Sequence, residues 1–336
     1  MRPSFYPRLI NGPFNDPGLF IPLFFEKRAI LFDLGDIYSL APRDILKISH
    51  VFISHMHMDH FVGFDRLLRL FLGREKILYL YGPEGLLKNV EGKLAGYEWN
   101  LVRNFLNRFV LHVTEVHHGY LFVRQYHCQN RFHPPQNTLK ESFDGILHDE
   151  PAFSVSAVIL DHSIPCLGFT IKERFHVNIK KDGVSDLGLE IGPWLKQFKQ
   201  ALFNHKDPNS EFEVEFPGKK SEKKKYILGD LANRIALITP GQKVTYITDV
   251  VYSTSNLKKI VLFAQDADHL FIEAAFLEKD REIARKKFHL TARQAGNIAK
   301  KAGVKQFTLF HFSPRYMDRA HLLQQEAGNA FENMGI

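Results

Sequence analysis

Apolar and polar positions alternate along several short stretches of the chain, in the manner of β-strands. The stretches 29–36 (AILFDLGD), 50–55 (HVFISH) and 76–86 (KILYLYGPEGL) are rich in β-branched and aromatic residues. This composition, with turn residues close by, predicts a strand in each. The same pattern predicts four later strands, at 153–162, 243–251, 269–276 and 304–312.

Helical periodicity separates these predicted strands. The stretch 61–73 places five apolar side chains on one face of a helix: Phe61, Phe64, Leu67, Leu68 and Phe71. A second helix is predicted over 290–303, with Thr291 as N-cap, Gln294 completing a capping box and Gly303 ending it. Strands that alternate with amphipathic helices indicate the α/β class.

Two stretches show neither the alternation of a strand nor the periodicity of an amphipathic helix. Residues 172–230 are polar, with scattered Gly and Pro and a lysine-rich run at 219–225 (KKSEKKK), and they predict an inserted arm or long loop. Residues 115–150 are rich in His, Gln and Asn, and their pattern gives no assignment. The whole chain, 1–336, is expected to form a single domain that carries the inserted arm.

The composition indicates what kind of partner and which cellular compartment to expect. The chain has 336 residues, 45% of them hydrophobic, and a formal net charge of +7, which is compatible with an anionic partner such as RNA. Its two cysteines, Cys128 and Cys166, are too few for a disulfide framework and favour a reducing compartment. No apolar run of ~18 residues and no signal-peptide pattern occurs, so a cytoplasmic protein without a membrane span is expected.

The candidate chemistry is concentrated directly after the second predicted strand. His55, His57, Asp59 and His60 occupy four of six consecutive positions (HMHMDH). Imidazole and carboxylate are the ligands of zinc, and also of manganese and iron. Because four donors so close together cannot all serve one tetrahedral ion without strain, the pattern favours two adjacent metal ions.

Three further donors lie near the carboxyl ends of predicted strands, where open α/β sheets place their active sites. His162 follows the strand at 153–162, Asp249 follows VTYIT, and His311 ends the strand at 304–312. Together with the HMHMDH segment, they are candidate ligands of a two-metal site.

These residues lie within segments that resemble a known family. The segments are SHMHMDHFVGFDRLL (54–68), YGPEGL (81–86), LDHSIPCLGF (160–169), IGPWLKQFK (191–199), TD (248–249), FIEAAF (271–276), HLTARQA (289–295) and HFSPRY (311–316). In this order they resemble the ribonuclease Z family, the tRNA 3′-end endonucleases of the metallo-β-lactamase superfamily. The most specific matches are HLTARQA and HFSPRY.

The resemblance implies an αββα sandwich, in which two mixed sheets lie face to face with helices outside. It implies one zinc ion on His55, His57 and His162, a second on Asp59, His60 and His311, and Asp249 bridging the two. It also implies a homodimer, and that IGPWLKQFK in the arm helps to grip tRNA, with the lysine-rich run adding phosphate contacts.

The reaction that the resemblance implies is hydrolysis of a phosphodiester, with precursor tRNA as the substrate. Asp59 would accept a proton from the attacking water, His289 would protonate the leaving 3′ oxygen, and Glu273 would orient His289. Arg315 is a candidate for bidentate binding of a substrate phosphate.

The sequence also departs from the family pattern, which leaves two alternatives open. The N-terminal LINGPFNDPGLFI lacks the family's Gly-rich turn, Val250 replaces a Thr after Asp249, and 97–150 is longer than usual. One alternative is a hydrolase with the same metal site that acts on a small phosphodiester, a cyclic nucleotide or an ester. The other is an inactive RNA-binding or scaffold relative, which the complete set of candidate ligands disfavours.

Overall fold

The computed structural model of the protein describes residues 4–24, 26–216 and 219–332, with all their side chains except those of residues 103, 215, 216 and 219–222. These residues form two compact units. The main unit comprises 5–148, 155–171 and 243–332. The inserted unit comprises 149–154 and 172–242, together with Ser4.

The first sheet of the main unit has eight strands in chain order. They are β1 (Arg8–Leu9), β2 (Leu19–Pro22), β3 (Ala29–Phe32), β4 (Ile48–Phe52), β5 (Lys76–Pro83), β6 (Phe109–His117), β7 (Tyr120–His127) and β8 (Leu139–Ser142). Strands β3 to β6 are parallel, and the pairs at either end of the sheet are antiparallel. The carboxyl ends of four parallel strands therefore meet at one edge.

The second sheet has six strands. Numbered in chain order, they are β9 (Ile146–Asp149), β10 (Phe153–Asp161), β11 (Pro165–Glu173), β16 (Lys243–Ile247), β17 (His269–Glu273) and β18 (Phe307–Phe310). Their order across the sheet is β18-β17-β16-β11-β10-β9, and β16, β17 and β18 are parallel. This sheet also collects the carboxyl ends of parallel strands at one edge.

The two sheets pack face to face through aromatic side chains. The ring of Phe32 on β3 lies 5.3 Å from Phe169 on β11 and 5.9 Å from Tyr246 on β16. At the edge of this interface the amide of Leu167 donates a hydrogen bond to the carbonyl oxygen of Ser54 (2.8 Å). The strands of both sheets thus share one apolar interface.

Helices cover the outer face of each sheet. Three of them pack on the first sheet: α1 (Pro42–Ile45), α2 (Phe64–Phe71) and α3 (Leu86–Ala95). Four pack on the second: α7 (Thr254–Phe263), α8 (Arg281–Lys286), α9 (Ala292–Lys301) and α10 (Ala320–Glu332). The predicted αββα sandwich is confirmed, and the capping box of Thr291 and Gln294 begins α9 as expected.

Much of the stretch at 115–150, which the sequence pattern left unassigned, belongs to strands β6 to β9. Strands β6 and β7 form a hairpin whose turn contains Gly119 at φ +80°. Alternate residues of β6, such as Leu111 and Val113, are buried against the first core. That alternation is visible in the sequence, but the interleaved histidines obscured it.

The inserted unit has an apolar core of its own, to which Trp194, Phe198 and Phe212 contribute. Its elements are β12 (Phe175–Ile179), α4 (Lys181–Asp186), α5 (Trp194–Phe203), β13 (Glu211–Phe216), β14 (Lys219–Ile227), α6 (Leu228–Ile235) and β15 (Ala236–Pro240). Strand β12 pairs with β15, and β13 pairs with β14, both antiparallel. Residues 217 and 218, within the predicted arm, lie outside the described residues.

No helix among the described residues is long and apolar enough to cross a membrane.

Candidate active site

The loop that follows β4 brings its histidines together because it is first extended and then turns. His57 has extended backbone angles, and Met58–His60 then form a single 3-10 turn. As a result Nε2 of His55 lies 3.0 Å from Nδ1 of His57, and the rings of His55 and His60 are 4.0 Å apart. Donors that are neighbours in sequence thus converge on one small volume.

The second sheet brings Asp249 into the centre of this volume. Its Oδ2 lies 3.7 Å from Nε2 of His55, 3.7 Å from Nε2 of His60 and 3.6 Å from Nε2 of His162. Its Oδ1 lies 3.3 Å from Nδ1 of His311. Asp249 therefore contacts ligand candidates from both sheets.

The seven candidate ligands fall into two separate groups. Within each group the potential ligand atoms lie within 4.8 Å of one another. One group consists of His55, His57, His162 and Asp249, and the other of Asp59, His60 and His311. The structure thus places together donors that are separated by up to 256 positions in the chain.

Unpartnered nitrogen atoms provide an independent test of whether the site suits a metal. Among the described residues, the buried atoms Nε2 of His60 and Nδ1 of His311 have no hydrogen-bond partner. Burying a polar atom without a partner is costly. A divalent cation would satisfy both nitrogens, so these side chains fit the metal ions expected of this donor set.

Asp33, which sequence reasoning missed, orients the candidate ligand His60. Its Oδ2 accepts a hydrogen bond from Nδ1 of His60 (2.8 Å) and from the hydroxyl of Tyr246 (2.9 Å), and Oδ1 accepts from the amide of Ser54 (2.7 Å). With its Nδ1 donating, His60 presents Nε2 as an acceptor. The only sequence signal was the position of Asp33 at the end of β3.

His162 is oriented in the same way by a backbone group. Its Nδ1 donates to the carbonyl oxygen of Phe288 (2.9 Å), which leaves Nε2 facing Asp249. Phe288 and His311 both have left-handed backbone angles, with φ +62° and +60°. Such conformations cost ~1–3 kcal/mol each in non-glycine residues and concentrate at functional sites.

A second pair, Glu273 and His289, adjoins the candidate ligands. Glu273 is fully buried at the end of β17, and its Oε2 accepts a hydrogen bond from Nδ1 of His289 (3.0 Å). Its Oε1 accepts from the amides of Val250 (2.9 Å) and Leu290 (3.2 Å). Since both oxygens are held, the carboxylate fixes the position of the imidazole.

The charges of the site follow from burial and from these partners. Burial lowers the pKa of His55 to about 2, with help from the neighbouring His60, so its imidazole is neutral. Burial also opposes protonation of His289, but the Glu273 carboxylate outweighs it and raises the pKa to about 9. For Asp59, burial raises the pKa, but the neighbouring imidazoles of His311 and His60 lower it by more, so the carboxylate is charged.

A cavity of about 250 Å³ opens beside the site. Asp59, His289 and His311 line one part of it, and Lys287 and the N-terminal residues 14–16 line another. Arg315, a predicted phosphate ligand, is exposed in the 3-10 helix Pro314–Arg319 and is not among the residues that line this cavity. Sequence reasoning did not identify Lys287 or residues 14–16.

Comparisons with solved structures support the fold. The chain is similar to the metallo-β-lactamase fold protein YhfI of Bacillus subtilis, with 16% identity and a TM-score of 0.54 over 97% of this chain and 92% of that one. It is also similar to the short form of human tRNase Z, with 18% identity and a TM-score of 0.51 over 93% of each chain. At these identities the likeness concerns the fold alone.

Sequence comparisons are more specific. Residues 217–312 match the family model of a beta-lactamase superfamily domain. The chain is 30% identical over 337 aligned residues to ribonuclease Z of Enterococcus faecalis, covering 96% of this chain and 89% of that protein. It is 29% identical to ribonuclease Z of Bacillus subtilis, covering 95% and 90%. The chain therefore belongs to the ribonuclease Z family, metal-dependent endoribonucleases of the metallo-β-lactamase superfamily.

Proposed function

We propose that the protein is a zinc-dependent endoribonuclease that removes 3′ trailers from precursor tRNA. The observation that carries this proposal is the convergence of seven imidazole and carboxylate side chains, Asp249 among them, on one site, in a chain whose relatives are ribonucleases Z.

In this proposal His55, His57 and His162 would hold the first zinc ion and Asp59, His60 and His311 the second, and Asp249 would contribute to both. Divalent ions bound there act as Lewis acids that activate water and neutralise phosphate charge. Manganese or iron would suit the same donors.

Protons are moved by two side chains of the cavity wall. Asp59 is 41% exposed and its carboxylate is held by Nε2 of His311 (3.1 Å), so it can accept a proton from the attacking water. His289 is held by Glu273 and lines the cavity, so it can donate a proton to the leaving 3′ oxygen. Arg315, being outside the cavity, is proposed to contact a phosphate further along the substrate.

The inserted unit is the proposed tRNA-binding arm. The lysines of β14 contribute less charge than their number suggests, because Lys225 pairs with Glu211 (2.8 Å) and Lys223 with Glu213 (3.2 Å) across the hairpin. Helix α5 carries Lys196, which is exposed and has no ion pair with any described side chain. We therefore assign the main phosphate contacts of the arm to α5.

A second candidate function is hydrolysis of a smaller phosphodiester, a cyclic nucleotide or an ester at the same site. It is favoured by the small volume of the cavity, about 250 Å³, and by the N-terminal residues that line it, whose sequence departs from the family pattern.

The test combines metal analysis of the purified protein with an assay of precursor tRNA cleavage. Purified protein should contain divalent metal and should cut a precursor tRNA transcript once, at the start of its 3′ trailer. Cleavage of a small phosphodiester without any cleavage of the precursor would favour the second candidate. Size-exclusion chromatography with light scattering would test the expected homodimer.

A further inference from the structure

Aromatic side chains line the cavity beside the candidate active site. Its volume of about 250 Å³ is below the ~300–1,000 Å³ typical of pockets for drug-sized ligands, and suits a single nucleotide unit. Phe14, Phe276 and Phe312 all line it, and Phe14 is the only one of the three that is not fully buried. Among the three phenylalanines, the accessible ring surface in this cavity therefore belongs to Phe14.

Phe14 is held firmly although it lies in a loop. Its ring packs edge-on against Phe312, with centroids 5.4 Å apart, and the amide of Phe312 donates to the carbonyl oxygen of Pro13 (2.7 Å). Asn11 closes the loop by donating from Nδ2 to the carbonyl oxygen of Asp16 (2.9 Å). A ring fixed in this way can stack on a base at little entropic cost.

The wall of the cavity also carries a positively charged side chain. Lys287 lines the cavity, is exposed and forms no salt bridge with any described side chain. The two arginines nearby are paired, since Arg281 lies 3.8 Å from Glu278 and Arg285 lies 3.5 Å from Glu282. Lys287 is therefore available for an anion that enters the cavity.

We propose that this cavity is the subsite for the nucleotide that carries the leaving 3′ oxygen, with its base against Phe14 and its 5′ phosphate near Lys287. The inference rests on the proposed function. The direction of the strand follows from His289, because the proposed proton donor to that oxygen forms part of the same wall. The N-terminal loop at 11–18, which departs from the family pattern, thereby becomes a specificity element.

The role of Phe14 is tested with a precursor tRNA transcript whose nucleotide before the cleaved bond is abasic. Stacking of a base on an aromatic ring contributes ~1–3 kcal/mol, so the abasic substrate should lower kcat/KM of the wild type by about fivefold or more. Phe14→Leu keeps an apolar side chain but removes the ring. This variant should therefore cleave the intact and the abasic substrate with almost the same kcat/KM. Phe14→Tyr should behave as the wild type.

The role of Lys287 is tested by the salt dependence of KM. Loss of one phosphate contact should reduce the slope of log KM against log salt concentration by ~0.7 in Lys287→Ala. Lys286→Ala is the matched control, because Lys286 is also exposed but does not line the cavity. Its slope should remain that of the wild type.

The outcomes separate this subsite from the proposed function. The subsite is overturned if the abasic nucleotide lowers kcat/KM equally in the wild type and in Phe14→Leu. It is also overturned if only an abasic nucleotide on the trailer side lowers kcat/KM. In both cases the cleavage of tRNA still stands. If the wild type cleaves no precursor at all, the proposed function fails first and the subsite falls with it.

Discussion

Asp33 and His60 form a buried pair in which Oδ2 of the carboxylate accepts a hydrogen bond from Nδ1 of the imidazole at 2.8 Å. Asp33 is at the end of a strand in the first sheet, and Tyr246 of the second sheet donates to the same oxygen. The pair therefore connects the packing of the two sheets with the orientation of a candidate metal ligand.

Asp33→Asn should weaken metal binding about 10- to 100-fold, the usual effect of losing a partner of a metal-bound histidine. The amide keeps the shape but can no longer fix the His60 tautomer with a charge. Competition with a chromogenic chelator measures the change. Asp36→Asn, three positions further along the chain but outside this network, is the control; unchanged affinity in Asp33→Asn would show that the pair does not support the site.

His57→Ala and Asp59→Ala should each abolish cleavage while the protein remains folded. Both side chains belong to the two groups of converging donors, and both are at least partly exposed, so their loss leaves no large void in the core. Cleavage of precursor tRNA and circular dichroism measure the two properties. Full activity of either variant would contradict the ligand assignment.

His289→Ala should lower kcat by about 10²–10⁴-fold, the range for loss of a general acid, with metal content unchanged. Glu273→Gln should produce a smaller loss of the same kind, because it weakens the hold on Nδ1 of His289. Metal analysis by mass spectrometry accompanies the kinetics. Loss of metal from His289→Ala would mean that this histidine is a ligand.

Removal of metal should lower the melting temperature. Without a cation the buried nitrogens Nε2 of His60 and Nδ1 of His311 have no partner among the described residues. Saturation at 100 times Kd contributes about 2.7 kcal/mol, which corresponds to roughly 4 °C for a chain of 336 residues. Thermal unfolding before and after chelation measures the shift, and re-addition of zinc should reverse it. An unchanged melting temperature would argue against a metal in this site.

Lys196→Ala should weaken binding of precursor tRNA and leave hydrolysis of a small phosphodiester unchanged. Lys225→Ala is the matched control, because Lys225 is already paired with Glu211 at 2.8 Å and should contribute less. In Lys196→Ala the slope of log Kd against log salt concentration should decrease by the contribution of about one phosphate contact. If Lys225→Ala weakened tRNA binding more than Lys196→Ala, the main phosphate contact would instead belong to the β13–β14 hairpin.

The elements that were predicted correctly depend on local patterns. Helix α9 could be predicted because its capping box lies within four residues, and HMHMDH could be recognised as a metal-binding pattern because its four donors are neighbours in sequence. The β6–β7 hairpin was missed because histidines interrupt its alternation, and the pairing of Lys225 with Glu211 could not be read from a lysine count.

The α/β class, the strands with clear alternation and the candidate metal chemistry are properties of short segments, so the sequence alone reveals them. Which side chains face one another across the two sheets is a property of packing. Asp33 supports His60, Asp249 lies among three imidazoles, and Phe14 and Lys287 line the same cavity. Residues far apart in the chain acquire such distances only when the apolar faces of the sheets are buried together, because no local pattern fixes the register between them.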